Sequence, residues 1–357
     1  MLIYVFTLLV PSLFYTLNLN VENRLKTLLT FVFIIYLIVF IGLRHHTGGD
    51  WSAQVFQFYK AQMTFNVYTI DFRGDYLYNF LNYIISRFFG GIYIVNLVLA
   101  SLLVFSIYLY SSLLPVRFLS LLICFPYIFT VVGMGFTRQG LALSFMLIAL
   151  YFFQKNKYFV YIFYSLLSIF SHKSVIIILA LNLFNFNKYI FSRIIFSIIL
   201  FLIIYFFVKD DLTRLYFYYV GEGVHLNSKG SVFRNIFNSI PVLIFIILFN
   251  RFLKIMSDEE KSIYVFFSIY QIICLIFSFY VSTFADRMTI FSIPIQLFVF
   301  SNLSLLFDKK YKLIINSSIL FLYNVYFLVW AFFGQYSIVW FNYRNILIEY
   351  FANFPVR

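Results

Sequence analysis

The chain of 357 residues is 63% hydrophobic and only 11% charged. Soluble domains average about 25% charged residues, so this composition excludes a soluble globular protein. The net charge of +13 comes mostly from basic residues between apolar runs, where such residues set membrane orientation. The chain lacks the basic stripe with interleaved aromatic residues that would indicate binding to nucleic acid.

Apolar runs bounded by charge, Gly, Pro or Asn recur along the chain and predict about twelve transmembrane helices. The predicted fold class is an all-α integral membrane protein with one polytopic domain over residues 1–357. The runs cover residues 1–17, 27–43, 92–114, 118–136, 139–153, 158–171, 174–186, 190–208, 236–250, 262–283, 288–307 and 313–333.

Two longer polar segments, residues 44–91 and 209–234, interrupt these runs, and a tail follows from residue 334. Within the first segment, residues 76–89 are too few to span easily and carry Asn79, Asn82 and Ser86 on one helical stripe. This pattern favours an interfacial or re-entrant helix. Cys124 and Cys274 lie inside apolar runs and are interpreted as small buried hydrophobes.

Orientation follows from short connecting loops that are rich in Lys and Arg, which the positive-inside rule places in the cytoplasm. The N-terminus is then outside, together with both long polar segments and all four histidines. This orientation requires that residues 76–89 do not cross the membrane.

Charged clusters at the ends of apolar runs then open on the outer face. An ionisable group at membrane level is costly unless it is paired or faces a water-filled cavity, so their convergence favours a functional site over ordinary snorkelling residues. The four clusters are Arg44-His45-His46 with Asp50, Arg138-Gln139, His172-Lys173, and Asp286-Arg287.

Arg138 follows the glycines of GMGFTRQG, which permit a helix break or close helix approach. An arginine at a helix N-terminus is an anion-binding arrangement. Asp50 ends a tight Thr-Gly-Gly turn and either serves the site or caps the helix WSAQVFQFYKAQ, and the two roles are compatible.

His172 lies between two apolar runs of 14 and 13 residues, shorter than an ordinary span, so the turn that carries it is expected to dip below the outer surface. There it either lines a depression and takes part in acid–base chemistry or is a buried histidine bonded to a backbone carbonyl.

Arginines around a membrane-level cavity suit phosphate or diphosphate, and a nearby carboxylate or histidine suits general-base catalysis on a hydroxyl. The chain has no Gly-rich phosphate loop, HExxH or GxSxG motif and no metal-ligand spacing, so no metal and no cofactor are expected. We predict substitution at an activated lipid-linked phosphate ester. Arg44, Arg138 and Arg287 hold diphosphates, and Asp50 or His172 is the catalytic base. Weaker binding candidates are His45, Lys173, Arg214 and Lys229.

Several motifs resemble the EpsG-type membrane proteins, in the same order from about residue 41 to residue 294. They are GLRHHTGGDWSAQVFQFYKA, GDYLYNFLNYIISRFFG, the block from TRQGLALSF to FSHKSVIIILAL, and ADRMTIFSIP. Departures are Gly49 at the usual small residue before Asp50, and Trp51 where Tyr is commoner. Neither removes a charged group.

This resemblance implies a Wzy-like polymerase of O-antigen, exopolysaccharide or another surface polysaccharide. The implied substrate is an undecaprenyl-diphosphate-linked oligosaccharide repeat unit. The implied location is the bacterial inner (cytoplasmic) membrane, in which the protein is multi-pass, with the active site facing the periplasm. Membrane lipid and a separate chain-length regulator protein are the expected partners.

Three alternatives stay open from sequence. A flippase or other transporter of lipid-linked oligosaccharide also needs buried cations, but the chain shows no repeat-related halves. A glycan ligase uses nearly the same chemistry as a polymerase. A non-enzymatic membrane scaffold would leave the clustered charges without purpose.

Overall fold

The computed structural model describes residues 1–16, 23–64, 75–184, 228, 230–352 and eight further positions between 194 and 209. The described part of the chain is helical, with one pair of two-residue strands, Arg44–His45 and Arg344–Asn345, that run antiparallel. The α-helices are Leu2–Thr16, Asn23–Gly42, Trp51–Met63, Tyr76–Phe88, Ile92–Ser111, Arg117–Cys124, Gly133–Gly135, Thr137–Gln154, Tyr158–Ser171, Ser231–Ile247, Phe249–Phe252, Asp258–Ser278, Ser282–Met288, Ile293–Leu303, Lys312–Phe333, Ile338–Phe341 and Ile346–Ala352. A π-helix covers Phe125–Val132, and 3₁₀ helices cover Lys173–Phe184, Thr289–Ser292 and Lys309–Tyr311.

Five segments of the described chain are long and apolar enough to cross a membrane. Four of the five carry large exposed apolar side chains, as lipid contact requires, and the exception is Arg117–Gly135, which is surrounded by other elements. Shorter apolar helices accompany them. The predicted number of twelve spans is not confirmed, and most of the predicted run 190–208 lies outside the described residues. The five segments are Arg24–Gly42, Ile92–Ser111, Arg117–Gly135, Asp258–Ser278 and Lys309–Phe333.

The segment Arg117–Gly135 is the centre of the bundle, because 89% of its apolar window is buried by other elements. It changes from α- to π-helical at Phe125 and breaks at Phe136, where the backbone leaves helical geometry with ψ at 55°. The next helix, Thr137–Gln154, begins immediately after the break. The predicted break at GMGFTRQG is therefore confirmed, and it leaves Arg138 as the second residue of a new helix.

The helices within residues 44–91 lie against the bundle. A small apolar cluster joins them to the Ile92–Ser111 and Thr137–Gln154 helices, and it contains Phe58, Tyr78, Ile85, Val95, Leu99 and Leu141. Asn82, on the predicted polar stripe of residues 76–89, is only 1% exposed and donates to the Tyr78 carbonyl. Part of that stripe faces protein, and the interfacial or re-entrant placement stays a prediction.

Residues 334–352 also pack against the bundle, although the sequence was interpreted there only as a tail. The Arg344–Asn345 strand pairs with Arg44–His45, and the Tyr343 ring stacks on Phe40 with centroids 4.5 Å apart. The C-terminal segment therefore contacts the same motif that begins the first polar segment.

Two smaller predictions have clear outcomes. Cys124 and Cys274 are both buried and free, as expected. The second polar segment was predicted to reach residue 234, but a helix begins at Ser231. The early start gives Arg234 a fixed position on helical backbone because its amide is already bonded to the Gly230 carbonyl.

Candidate functional site

A carboxylate, a guanidinium and an imidazole from three distant parts of the chain meet at one end of the bundle. The Asp75 Oδ2 atom lies 2.9 Å from Arg138 Nη1, and Asp75 Oδ1 lies 2.8 Å from His172 Nδ1. The Asp75 side chain is 10% exposed, whereas that of Arg138 is 42% exposed. Arg138 is thus held by Asp75 and keeps an exposed side that can contact a ligand. We call these three residues the Asp75 cluster.

Each member of the Asp75 cluster lies at a helix boundary. Asp75 is the N-cap residue of Tyr76–Phe88, but its side chain makes no capping bond, so both oxygens are available to the cluster. His172 has extended backbone between the Tyr158–Ser171 helix and the following 3₁₀ helix. Its ring is bonded to a carboxylate and a side-chain amide, so the alternative of a histidine bonded to a backbone carbonyl is wrong.

Two opposing effects set the protonation of Asp75. Burial by itself raises the pKa of its carboxyl group, but the contacts with His172 and Arg138 outweigh burial and hold the pKa below its usual value. Asp75 is therefore ionised at neutral pH. It is a fixed negative charge that orients the two cationic or proton-carrying side chains beside it.

Asp50 presents a second carboxylate near this cluster. It is the N-cap residue of Trp51–Met63, yet its side chain makes no capping bond and no hydrogen bond or ion pair with another described residue. Burial raises the pKa of the Asp50 carboxyl group, and the charges of Arg138 and Arg287 oppose this increase. Both guanidinium groups are therefore within electrostatic range of Asp50. The capping-only interpretation of Asp50 is not supported.

Arg287 belongs to a second charged group near Asp50. It lies on the Ser282–Met288 helix directly after Asp286, whose Oδ2 accepts from Arg234 Nη2 at 2.6 Å. Ser228 Oγ also accepts from Arg234 Nη2, at 2.8 Å. The carboxylate of Asp286 is thus held by Arg234, while the Arg287 side chain is exposed.

Arg44 occupies a different environment from the other two predicted arginines. Its side chain is fully buried, and its guanidinium donates to three neutral acceptors: the Ile41 carbonyl at 2.8 Å, Gln54 Oε1 at 2.8 Å and Asn96 Oδ1 at 3.3 Å. Burial lowers the pKa of Arg44 to about 10, so it stays charged at neutral pH. A group without solvent exposure does not reach a ligand from this position, which favours a structural role.

The weaker candidates are dispersed. His45 bonds to the Tyr93 hydroxyl and lies 3.5 Å from Glu349, so it contacts the C-terminal segment and not the Asp75 cluster. Lys173 is half-buried directly beside His172. Arg214 and Lys229 lie outside the described residues.

The predicted site residues did not include Asp75 or Arg234. A signal for Asp75 was present, because Gly74-Asp75-Tyr76 repeats the Gly-Asp-aromatic order of Gly49-Asp50-Trp51. Both aspartates begin a helix without capping it. Arg234 had no comparable signal, since its partner Asp286 is 52 residues away.

The arrangement offers cationic side chains for an anion, and the half-buried carboxylate of Asp50 is suited to take a proton. Within the described parts of the chain, no three His, Cys, Asp or Glu side chains lie close enough together to hold a metal ion. The groups that the structure brings together are therefore suited to bind an anion and to remove a proton.

The model of the EpsG family matches residues 26–345, which include the Asp75 cluster, Asp50 and Arg287. The chain belongs to the EpsG family. No curated protein and no solved structure matches it. EpsG membership and the apolar helices together identify a multi-pass membrane protein. The match ends at Asn345, so it includes both strands of the small pair formed with the Arg44 motif.

Proposed function

We propose that this EpsG-family protein is a polysaccharide polymerase that joins undecaprenyl-diphosphate-linked oligosaccharide repeat units into O-antigen or exopolysaccharide. The observation that carries the proposal is the position of Asp50. It is a half-buried carboxylate without a capping bond, within electrostatic range of both Arg138 and Arg287. A proton acceptor near two cationic groups suits a reaction in which a hydroxyl attacks a carbon that is bonded to a diphosphate.

The reaction is a glycosyl transfer with a diphosphate leaving group. A hydroxyl oxygen of the incoming unit bonds to the anomeric carbon of the growing chain, and its proton passes to Asp50. The bond from that carbon to the diphosphate oxygen breaks, and its electron pair leaves with undecaprenyl diphosphate. Arg138 and Arg287 stabilise the negative charge that develops on this leaving group.

Asp50 is a better base than His172 in this arrangement. Both ring nitrogens of His172 already have partners, Nδ1 with Asp75 and Nε2 with Gln139 Nε2 at 3.3 Å. In the tautomer that fits these contacts, Gln139 donates to the Nε2 lone pair that a base would need. We therefore assign the base to Asp50 and give His172 a positioning role beside Arg138.

The short loops rich in Lys and Arg support an inner-membrane protein whose site faces the periplasm. In that orientation Asp50, Arg138 and Arg287 all lie at outer ends of apolar segments. A periplasmic site is consistent with a substrate whose glycan has already crossed the membrane.

The test is deletion of the gene followed by gel analysis of surface and lipid-linked glycan. Loss of a polymerase leaves single-unit glycan. Loss of a ligase leaves polymer on its lipid carrier, and loss of a flippase strands units on the cytoplasmic side. Either of the last two patterns would replace the proposed function with the corresponding alternative.

Complementation then tests the assigned base. Asp50→Asn is expected to leave only single-unit glycan, whereas the control Asp308→Asn restores polymer. Asp308 is a suitable control because its side chain is 76% exposed and makes only a long surface contact of 3.8 Å with Lys310. Full polymer from Asp50→Asn, at matched protein levels, would exclude Asp50 as the base.

A further inference from the structure

Trp340 belongs to the C-terminal segment, yet it lies at the contact between the two glycine-containing motifs of the site. It sits on the short helix Ile338–Phe341 and is 5% exposed. Its indole Nε1 donates to the Thr130 carbonyl at 3.0 Å, within the π-helix, and its own carbonyl accepts from the Tyr4 hydroxyl at 2.9 Å. One hydrogen bond therefore fixes the indole, and the other fixes the backbone that carries it.

The indole occupies space that two glycines leave open. A Cβ atom added at Gly135 would be 2.6 Å from Trp340 Cζ2, and one added at Gly49 would be 3.2 Å from Trp340 Cη2. Separations below about 3 Å lie well inside carbon–carbon contact distance, so alanine at position 135 forces a shift of the indole or the backbone. Gly49 directly precedes Asp50, and Gly135 ends the helical segment just before Arg138.

Backbone contacts reinforce the same junction. The Gly48 amide donates to the Val339 carbonyl at 3.3 Å. Gly48 has φ of +101°, and a Cβ there would overlap the Met134 carbonyl. The turn that carries Asp50 thus rests directly on the break that carries Arg138, with Trp340 wedged beside both.

We propose that Trp340 is a positioning residue that holds the Asp50 turn and the Arg138 helix start in register, so that the C-terminal segment is part of the polymerase site. This inference rests on the proposed function. A rigid indole packed against two glycines transmits its position to both motifs. Because a displacement of about 1 Å can reduce a rate about a hundredfold, this wedge controls activity without touching substrate.

The experiment is a double-mutant cycle between Gly135→Ala and Trp340→Phe. Polymerisation is measured with purified protein in liposomes, using lipid-linked glycan extracted from the deletion strain. We expect Trp340→Phe to lower the rate about tenfold and Gly135→Ala about a hundredfold. The double variant recovers to the level of Trp340→Phe, because a phenyl ring lacks the outer indole atoms that the new methyl group meets. Gly91→Ala is the matched control, because no atom of the described residues lies within 4 Å of its Cβ position.

A second measurement separates positioning from simple stability. If Trp340→Phe moves Asp50 away from the arginines, the acidic limb of the rate profile shifts to higher pH, whereas partial unfolding lowers the rate at every pH equally. Multiplicative losses in the double variant, or an unshifted acidic limb in Trp340→Phe, would overturn the positioning role. The proposed function fails separately, if wild-type protein forms no polymer from the same glycan.

Discussion

Arg44 and Arg138 begin from similar sequence surroundings and end in opposite environments. Each follows an apolar run and lies near a glycine-containing motif. Arg44 is fully buried and bonds only to neutral acceptors, whereas the Arg138 side chain is 42% exposed and pairs with the ionised Asp75. An arginine that binds a charged substrate needs an open side, and a carboxylate partner fixes the orientation of its guanidinium group. Arg138 has both, and Arg44 has neither among the described residues.

The largest effect on activity is expected at Arg138. Replacing it by Gln in the liposome assay should lower the polymerisation rate by about 10² to 10³, because a cation aimed at developing charge is lost. Its melting temperature in detergent should fall only modestly, since the Arg138 side chain is partly exposed and His172 still pairs with Asp75. Arg117→Gln is the control, because Arg117 is exposed at the other end of the central helical segment. A near-wild-type rate for Arg138→Gln would show that Arg138 does not bind the charged substrate and so does not differ from Arg44 in function.

Arg44→Ala should show the reverse pattern: a clear loss of stability and a small change in the rate per folded molecule. Three acceptors lose their donor and a cavity forms, which costs about 2 kcal/mol or more. Thermal melting in detergent measures this loss, with the exposed Arg251→Ala as the control. If instead the melting temperature is unchanged and the rate falls a hundredfold, Arg44 contacts substrate as first predicted.

The effect of Asp75 on stability and the effect of Asp50 on rate should appear at different pH values. The folded pKa of Asp75 is below its unfolded value of about 3.9, so the stability it provides is complete above about pH 4 and is lost as pH falls through the folded pKa. The pKa of Asp50 is raised, so Asp50 is protonated at a higher pH than Asp75. As pH is lowered below the pKa of Asp50, the rate should fall about tenfold per pH unit.

Two measurements check this separation: the polymerisation rate against pH, and the difference in melting temperature between wild type and Asp75→Asn against pH. The difference in melting temperature should persist at the pH where the rate has already declined. If the two fall together, one carboxylate carries both roles.

The smallest effect is expected at Glu349. Its contacts with His45 at 3.5 Å and Arg344 at 3.8 Å are partly exposed, so Glu349→Gln should cost less than about 1 kcal/mol and leave the rate within twofold. Melting temperature and polymer yield together measure this. A tenfold loss of rate would return His45 to the list of binding residues.

Hydropathy, together with the charged, Gly, Pro and Asn residues that bound the apolar runs, predicted many of the local features. The Tyr158–Ser171 helix, the helix that follows Asp50, the break before Arg138 and the buried cysteines all agree with the structure. These features depend on neighbours within a few residues, such as the glycines before Arg138 and the apolar run around each cysteine. Family motifs quoted from residues 41–294 likewise lie inside the matched region.

The sequence by itself determined that this is a helical membrane protein of the EpsG family with its charges at helix ends. Only the tertiary structure decided which charges meet: Asp75 pairs with residues 63 and 97 positions away, and Trp340 contacts the Thr130 carbonyl across 210 residues. Helix periodicity and hydropathy are short-range properties that any window of the chain displays. The partner and the exposure of a charged side chain depend on how distant helices pack. For this reason Arg44 and Arg138 have similar sequence surroundings but different environments in the folded bundle.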